Sequence, residues 1–250
     1  MKRLVYIIAF VAALASCSDS YLIQGSSSVS QLDGSKLYLK VLKDKELTNF
    51  DSCEVVHGKF RFSGILDTTV LASLYMDSQS IMPLVVEKGD INISIDNAQQ
   101  KVSGSPLNDL LYDYLDKYER LQNQMKELSH RESQMLLDGI DEAEIGRTLL
   151  AEAAVITQEE DSLVTDFVVA NFENVLGPFA FQMCTSVPQV EHIMSKAPAA
   201  FKNHPMVVEF YQYATGSGQA AADEPSAPQS PADIDDATIQ DILNGKEDTH

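Results

Sequence analysis

The hydrophobic period of this chain changes once, and the change comes at Gly104-Ser105-Pro106. Upstream, between Tyr21 and Val102, apolar residues recur at every second position. Leu37, Leu39 and Val41 share one face of a segment, while Tyr38, Lys40 and Leu42 share the other. Phe60 and Phe62 alternate with Lys59, Arg61 and Ser63, and Ile91, Ile93 and Ile95 alternate with Asn92 and Ser94. A period of two belongs to antiparallel strands with one buried face. Asp33-Gly34, His57-Gly58, Gly64, Lys88-Gly89-Asp90 and Ser103-Gly104 are turn signals that divide the stretch. They leave about six or seven short strands, segments 70–75 and 84–87 among them, which implies a small β-sandwich or open barrel. His57-Gly58 lies between Val55-Val56 and Lys59-Phe60 and reads as a two-residue hairpin whose glycine supplies φ > 0.

Downstream, Ser105-Pro106 places a capping residue before a proline at the first helical position. Leu107, Leu111, Tyr114, Tyr118, Leu121, Met125 and Leu128 then recur at spacings of three and four, a narrow apolar seam along one helix. Such a seam suits a coiled-coil dimer or an intramolecular helical hairpin. A second pattern favours the hairpin: Ile145, Leu149, Ile156, Leu163, Phe167 and Ala170 follow, with Gly139 in the connection and Gly177-Pro178 as the terminator. Shorter helices are expected over 179–185, 189–196 and 205–214, punctuated by Pro188, Pro198 and Pro205.

The amino terminus carries a different signal. Lys2 and Arg3 precede eleven uncharged residues, Leu4 to Leu14, too few to cross a bilayer core, which takes about 20. They fit the apolar core of a secretory signal. Leu14-Ala15-Ser16-Cys17 resembles the bacterial lipobox, so cleavage is expected between Ser16 and Cys17, with diacylglycerol on the Cys17 sulfur and a further acyl chain on its nitrogen. Two or more chains hold a protein stably to a membrane, which makes this a tethered protein and not a spanning one. The residues after Cys17 are Ser18 and Asp19, and a lipoprotein with that pattern is expected at the outer membrane, facing the periplasm.

Charge agrees with tethering by acyl chains. The chain carries 18 Lys and Arg against 37 Asp and Glu, a net charge of −19, and loss of residues 1–16 brings it to −21. Anionic lipid heads repel such a body, and nucleic acid is excluded because phosphate binding needs a basic surface. After Gly216-Ser217-Gly218 the composition turns to Ala, Pro, Ser and Asp, and Pro225, Pro228 and Pro231 forbid regular helix. Asp235-Asp236 would cap a short helix bearing Ile239, Ile242 and Leu243. That triplet suits a partner groove; the same segment also suits a solubilising acidic tail, since fewer than ~12 residues rarely hold a helix alone. The expected organisation is thus an α+β chain with a signal peptide over 1–16, a lipidated linker over 17–20, a β-rich domain over 21–104, a helical region over 105–215 and a disordered acidic tail over 216–250.

Candidate chemistry is sparse. Besides Cys17 only Cys53 and Cys184 remain, and an oxidising compartment permits a disulfide between them. Their neighbours, Val55 on one side and Phe181 and Met183 on the other, suit buried thiols equally. The histidines at 57, 130, 192, 204 and 250 show no metal-binding spacing, and His57 and His204 read as turn and helix-start residues. No calcium loop, phosphate loop, dinucleotide fingerprint or nucleophile elbow occurs, so no cofactor and no metal are expected.

An ordered set of short motifs carries a family resemblance. It consists of Tyr21-Leu-Ile-Gln-Gly25, Leu32-Asp-Gly34, Leu37-Tyr-Leu39, Asp51-Ser52, Gly58-Lys-Phe-Arg-Phe62, Glu87-Lys-Gly89, Ile91-Asn-Ile93 and Val102-Ser-Gly-Ser-Pro-Leu-Asn108. The set resembles the domain of unknown function commonly found ahead of a thioredoxin-like module in bacterial envelope thiol–disulfide proteins, over roughly Tyr21 to Gly218. The resemblance implies a β-rich domain leading into helices, with a thioredoxin-like module starting near Gly216. This chain departs there: it has no Cys-x-x-Cys, and its last 35 residues are too few for that module. No catalytic residue carries over. The favoured expectation is a non-catalytic, lipid-anchored envelope protein that binds another protein or a small ligand. The alternatives are an accessory of thiol–disulfide exchange, acting with a thioredoxin-like partner, and a structural envelope scaffold.

Overall fold

A computed structural model describes residues 19–43 and 46–217; the segments expected as signal peptide, lipidation site and, from 218 onward, acidic tail lie outside the described residues. Eight strands come first: β1 (Ser20–Ser27), β2 (Lys36–Lys43), β3 (Glu46–Glu54), β4 (Lys59–Ile65), β5 (Val70–Met76), β6 (Gln79–Val86), β7 (Gly89–Ile95) and β8 (Gln100–Ser103). They form two four-stranded sheets in the orders β4-β1-β7-β8 and β3-β2-β5-β6. The sandwich is the form adopted, and neither sheet closes into a barrel. Two details differ from the sequence expectation. β1 and β7 run parallel, with Ile23 opposite Ile91; the five strands β2 to β6 intervene and supply the long connection that parallel pairing needs. The strand count is eight because β3 and β8 did not stand out. In β3, Leu47, Phe50 and Cys53 recur every third residue, since the register with β2 shifts between Leu39 and Lys40 and leaves Phe50 unopposed.

Between the sheets lie Ile23, Leu37, Leu39, Leu74, Leu84 and Ile91, all fully buried. The motif residues lock this core from its edges. His57 and Gly58, at φ 53° and 68°, make the expected tight turn between Val56 and Lys59. Asp33 holds that turn by accepting a hydrogen bond from the Gly58 amide at 3.1 Å. Gly25 stands opposite Phe60, and the aromatic ring occupies the space where a side chain on Gly25 would be: a Cβ there would lie 2.0 Å from ring carbon Cε2. Across the sandwich, the Tyr21 hydroxyl donates to Asp51 at 2.7 Å, joining one sheet to the other.

Six helices follow: α1 (Pro106–Leu137), α2 (Glu142–Ala170), α3 (Leu176–Phe181), α4 (Val187–Lys196), α5 (Ala199–Lys202) and α6 (Pro205–Thr215). α1 and α2 form the intramolecular hairpin, with Gly139 in the connection and Asp141 capping α2 through the Ala143 amide. Leu111, Tyr114, Leu121 and Leu128 of the α1 seam are buried, as are Ile145, Leu149 and Phe167 of α2. Val164 is buried in place of Leu163, and Ala170 is exposed. The expected terminator is also misplaced. α2 stops at Ala170, while Gly177 and Pro178 lie inside α3, where the chain folds back so closely that a Cβ on Gly177 would be 2.3 Å from the Asn171 carbonyl oxygen.

The first turns of α1 clasp the sandwich. Ser105 occupies the cap position but makes no cap bond; Glu87 Oε1 accepts from the amides of Leu107 and Asn108 instead. Fully buried Asn108 acts as a substitute strand partner for the edge of β6, accepting from the Val85 amide at 2.9 Å and donating to the Val85 carbonyl at 2.7 Å. The Tyr112 hydroxyl donates to the Pro83 carbonyl one turn later. β6 is therefore buried on both faces and satisfied at its edge, which removes an aggregation-prone feature.

These contacts set a direction. From Asn108 beside Val85 to Tyr112 beside Pro83, α1 runs antiparallel to β6, away from the end of the sandwich at which β1 begins. At 1.5 Å per residue the 32-residue helix is about 48 Å long. Its far half passes the opposite end of the sandwich and has a small core of its own, Leu128, Ile145 and Leu149.

Candidate functional site

The chemistry-bearing residues singled out in the sequence do not converge. Ser16 and Cys17 lie outside the described residues. The described chain starts at Asp19, which accepts from the Leu66 amide and pairs with Lys88, and β1 begins at Ser20. The folded body thus begins within three residues of position 17. Cys53 sits in β3 of the sandwich and Cys184 follows α3; both are free thiols in the structure. Burial pushes the Cys53 thiol up to about 11 and the Cys184 thiol up to about 12, with the charges of Asp51 and Asp161 adding to the respective shifts. Both are protonated at neutral pH, a poor state for a nucleophile. His57 occupies the hairpin turn and His204 precedes α6. Among the described residues, no group of three or more His, Cys, Asp or Glu is arranged to hold a metal, and no helix is long and apolar enough to cross a membrane.

One buried ionisable group went unnoticed in the sequence, because Glu159-Glu160 reads as a solvated pair. Glu160 is buried between α1 and α2, accepts from Gln122 Nε2 at 2.9 Å and is hydrogen-bonded by Tyr118. Burial raises its carboxyl above the ordinary value, and the charge of Asp161 adds to the effect. A carboxyl raised on folding stabilises the fold below its unfolded value and gives up that contribution as pH climbs through the folded one. Glu160→Gln is accordingly expected to be more stable than the parent at pH 7, with the gap closing at pH 4. Urea midpoints at the two pH values measure it.

An open, partly apolar surface lies on the hairpin arm. Met125, Leu128, Ser129 and Glu132 of α1 face Gly146, Leu149, Leu150 and Ala153 of α2 across an open groove of about 230 Å³. Leu150 is 72% exposed, and Leu136, Leu137 and Val155 add exposed apolar surface to the same arm. Arg131 and Glu152 pair across the two helices and hold them in register. Gly146 leaves a gap in the groove wall, since a Cβ there would meet nothing within 4 Å. A glycine inside a helix costs roughly 0.5–1 kcal/mol relative to alanine. Gly146→Ala is therefore expected to stabilise the protein by about that amount, read as a higher urea midpoint at unchanged slope.

No curated protein matches the chain. Residues 21–111 match the family model described as Domain of unknown function (DUF4369); the match covers the two-sheet sandwich and the opening turn of α1, and the rest of the hairpin arm and the small helices lie beyond it.

Proposed function

We propose that this protein is a lipid-anchored component of the bacterial cell envelope, held through acyl chains on Cys17 at the periplasmic side of the outer membrane, and that it binds a protein partner without catalysing a reaction. The observation that supports this reading most is the placement of the two ends. The chain enters the sandwich three residues after Cys17, and the α1–α2 arm extends from the sandwich in the opposite direction. An anchor and a partner-binding arm then lie at opposite poles, with the sandwich as the spacer. The arm from 125 to 153 carries three Lys and Arg against seven Asp and Glu, so the partner surface is apolar with a neutral or basic rim.

A photo-crosslinking residue at Leu150, in cells producing the full chain, tests the reading, with Val56 at the sandwich turn as control. One discrete adduct from position 150 and none from 56 is expected. Absence of an adduct at 150 removes the arm from the account. The identity of the captured protein separates the alternatives: a thioredoxin-like oxidoreductase favours the accessory role, and abundant outer-membrane proteins favour the scaffold.

A further inference from the structure

We propose that the end of the sandwich where β1 begins is a lipid-contacting face, whose exposed aliphatic residues Leu42, Leu47 and Ile65 seat in the bilayer interface and hold the protein upright. The proposal rests on the acylation of Cys17 put forward above. Strand registers place the three residues at the same end of the sandwich, Ile65 on one sheet and Leu42 and Leu47 on the other. Ile65 stands directly opposite Ser20, the first residue of β1. Leu42 and Leu47 are paired with each other where β2 ends and β3 begins. β3 runs toward the end at which Val55 bonds the Ser35 carbonyl, with Ser27 and Gly58 bonded nearby, so its start lies at the end shared with Ser20.

Burial sharpens the point. Ile65 is 81% exposed, and Leu42 and Leu47 are 51% and 55% exposed. Among the described residues of the β-rich part they are three of the four large apolar side chains left in the open; the fourth, Val56, is at the opposite end beside the His57 turn. Singly exposed apolar side chains need no explanation; what sets these apart is that all three rim the one pole nearest residue 17, on both sheets. The length of chain names the occupant. Three residues span at most about 11 Å fully extended, so acyl chains on Cys17 bring Ser20 and Ile65 to the level of the lipid head groups. Amphipathic surfaces there sink about 5–10 Å into the boundary. Attraction between charges does not explain the contact. Lys43 and Lys88 are offset by Asp19, Glu46, Asp67 and Asp90 around the same end, and Lys88 is paired with Asp19. The contact is apolar, so raised salt is not expected to release it.

The chain contains no tryptophan, so a single introduced one reports without background. Full-length protein purified from membranes as Ile65→Trp, Leu47→Trp or, at the 88% exposed arm tip, Leu137→Trp is reconstituted in phosphatidylethanolamine and phosphatidylglycerol vesicles containing brominated phosphatidylcholine. The first two are expected to lose about half or more of their emission to the bromine atoms and to shift to the blue, as residues within the interface do, while Leu137→Trp is unaffected. Intact mass of each sample reports whether Cys17 carries acyl chains. Acylated protein with equal quenching at all three sites, or none at 65 and 47, overturns the lipid-contacting face and leaves the anchor standing. Protein without acyl chains on Cys17 overturns the anchor reading, and this proposal with it.

Discussion

Gly25→Ala is expected to cost the fold about 3 kcal/mol, at the upper end of what overpacking a tight core costs. The site leaves no easy relaxation. β1 is a central strand, flanked by β4 and β7, and the ring of Phe60 lies across residue 25 at 2.0 Å from where the new methyl group would sit. Moving the ring means displacing a buried side chain that also packs edge-on against Phe62 at 6.1 Å between ring centres. Urea unfolding followed by circular dichroism should show a lower midpoint with unchanged slope. A double-mutant cycle with Phe60→Ala identifies the cause. If the ring is the obstacle, the double variant is destabilised by less than the sum of the single changes; strict additivity would place the cost elsewhere.

The second large effect is at the clasp between sandwich and helix. Asn108→Leu keeps the volume approximately but removes both hydrogen bonds to Val85 and the one to Ser105. Each buried polar group left without a partner costs about 1–3 kcal/mol, so a loss of about 3 kcal/mol is expected. Asn108→Asp is a stricter test, because an aspartate can still accept from the Val85 amide but cannot donate to its carbonyl, and it lies beside Glu87. Both variants should speed hydrogen exchange at the Val85 amide more than at Ile91 in the other sheet. Uniform acceleration throughout the sandwich would show that the clasp is not a local hinge.

These two sites also show what the sequence could and could not reveal. The break between strands and helices was visible at Gly104-Ser105-Pro106, because periods of two and three-and-a-half are local properties. The His57-Gly58 turn was visible for the same reason. Asn108 and Glu87 appeared in the sequence only as members of short motifs, and their partnership across 21 positions is a product of the fold. Gly25 and Phe60 are similarly 35 positions apart and meet only through the β1–β4 register. β3 was obscured by its bulge, and the parallel β1–β7 pair by a crossover that no periodicity reports. Glu160 was missed because its burial depends on Tyr118 and Gln122 from the facing helix. The motifs of the DUF4369 match thus include residues that hold the sandwich together. The surfaces offered for function, the arm groove and the exposed aliphatic residues at the β1 end, are made of residues that look ordinary in the sequence.

Attachment through residue 17 bears most of the functional account, and intact-mass spectrometry of protein extracted from envelope membranes measures it directly. The account predicts a chain starting at Cys17 with the added mass of a diacylglyceryl group and an amide-linked acyl chain, lost to a Cys17→Ala substitution. A mature chain starting elsewhere, or Cys17 with its thiol unmodified, would contradict it.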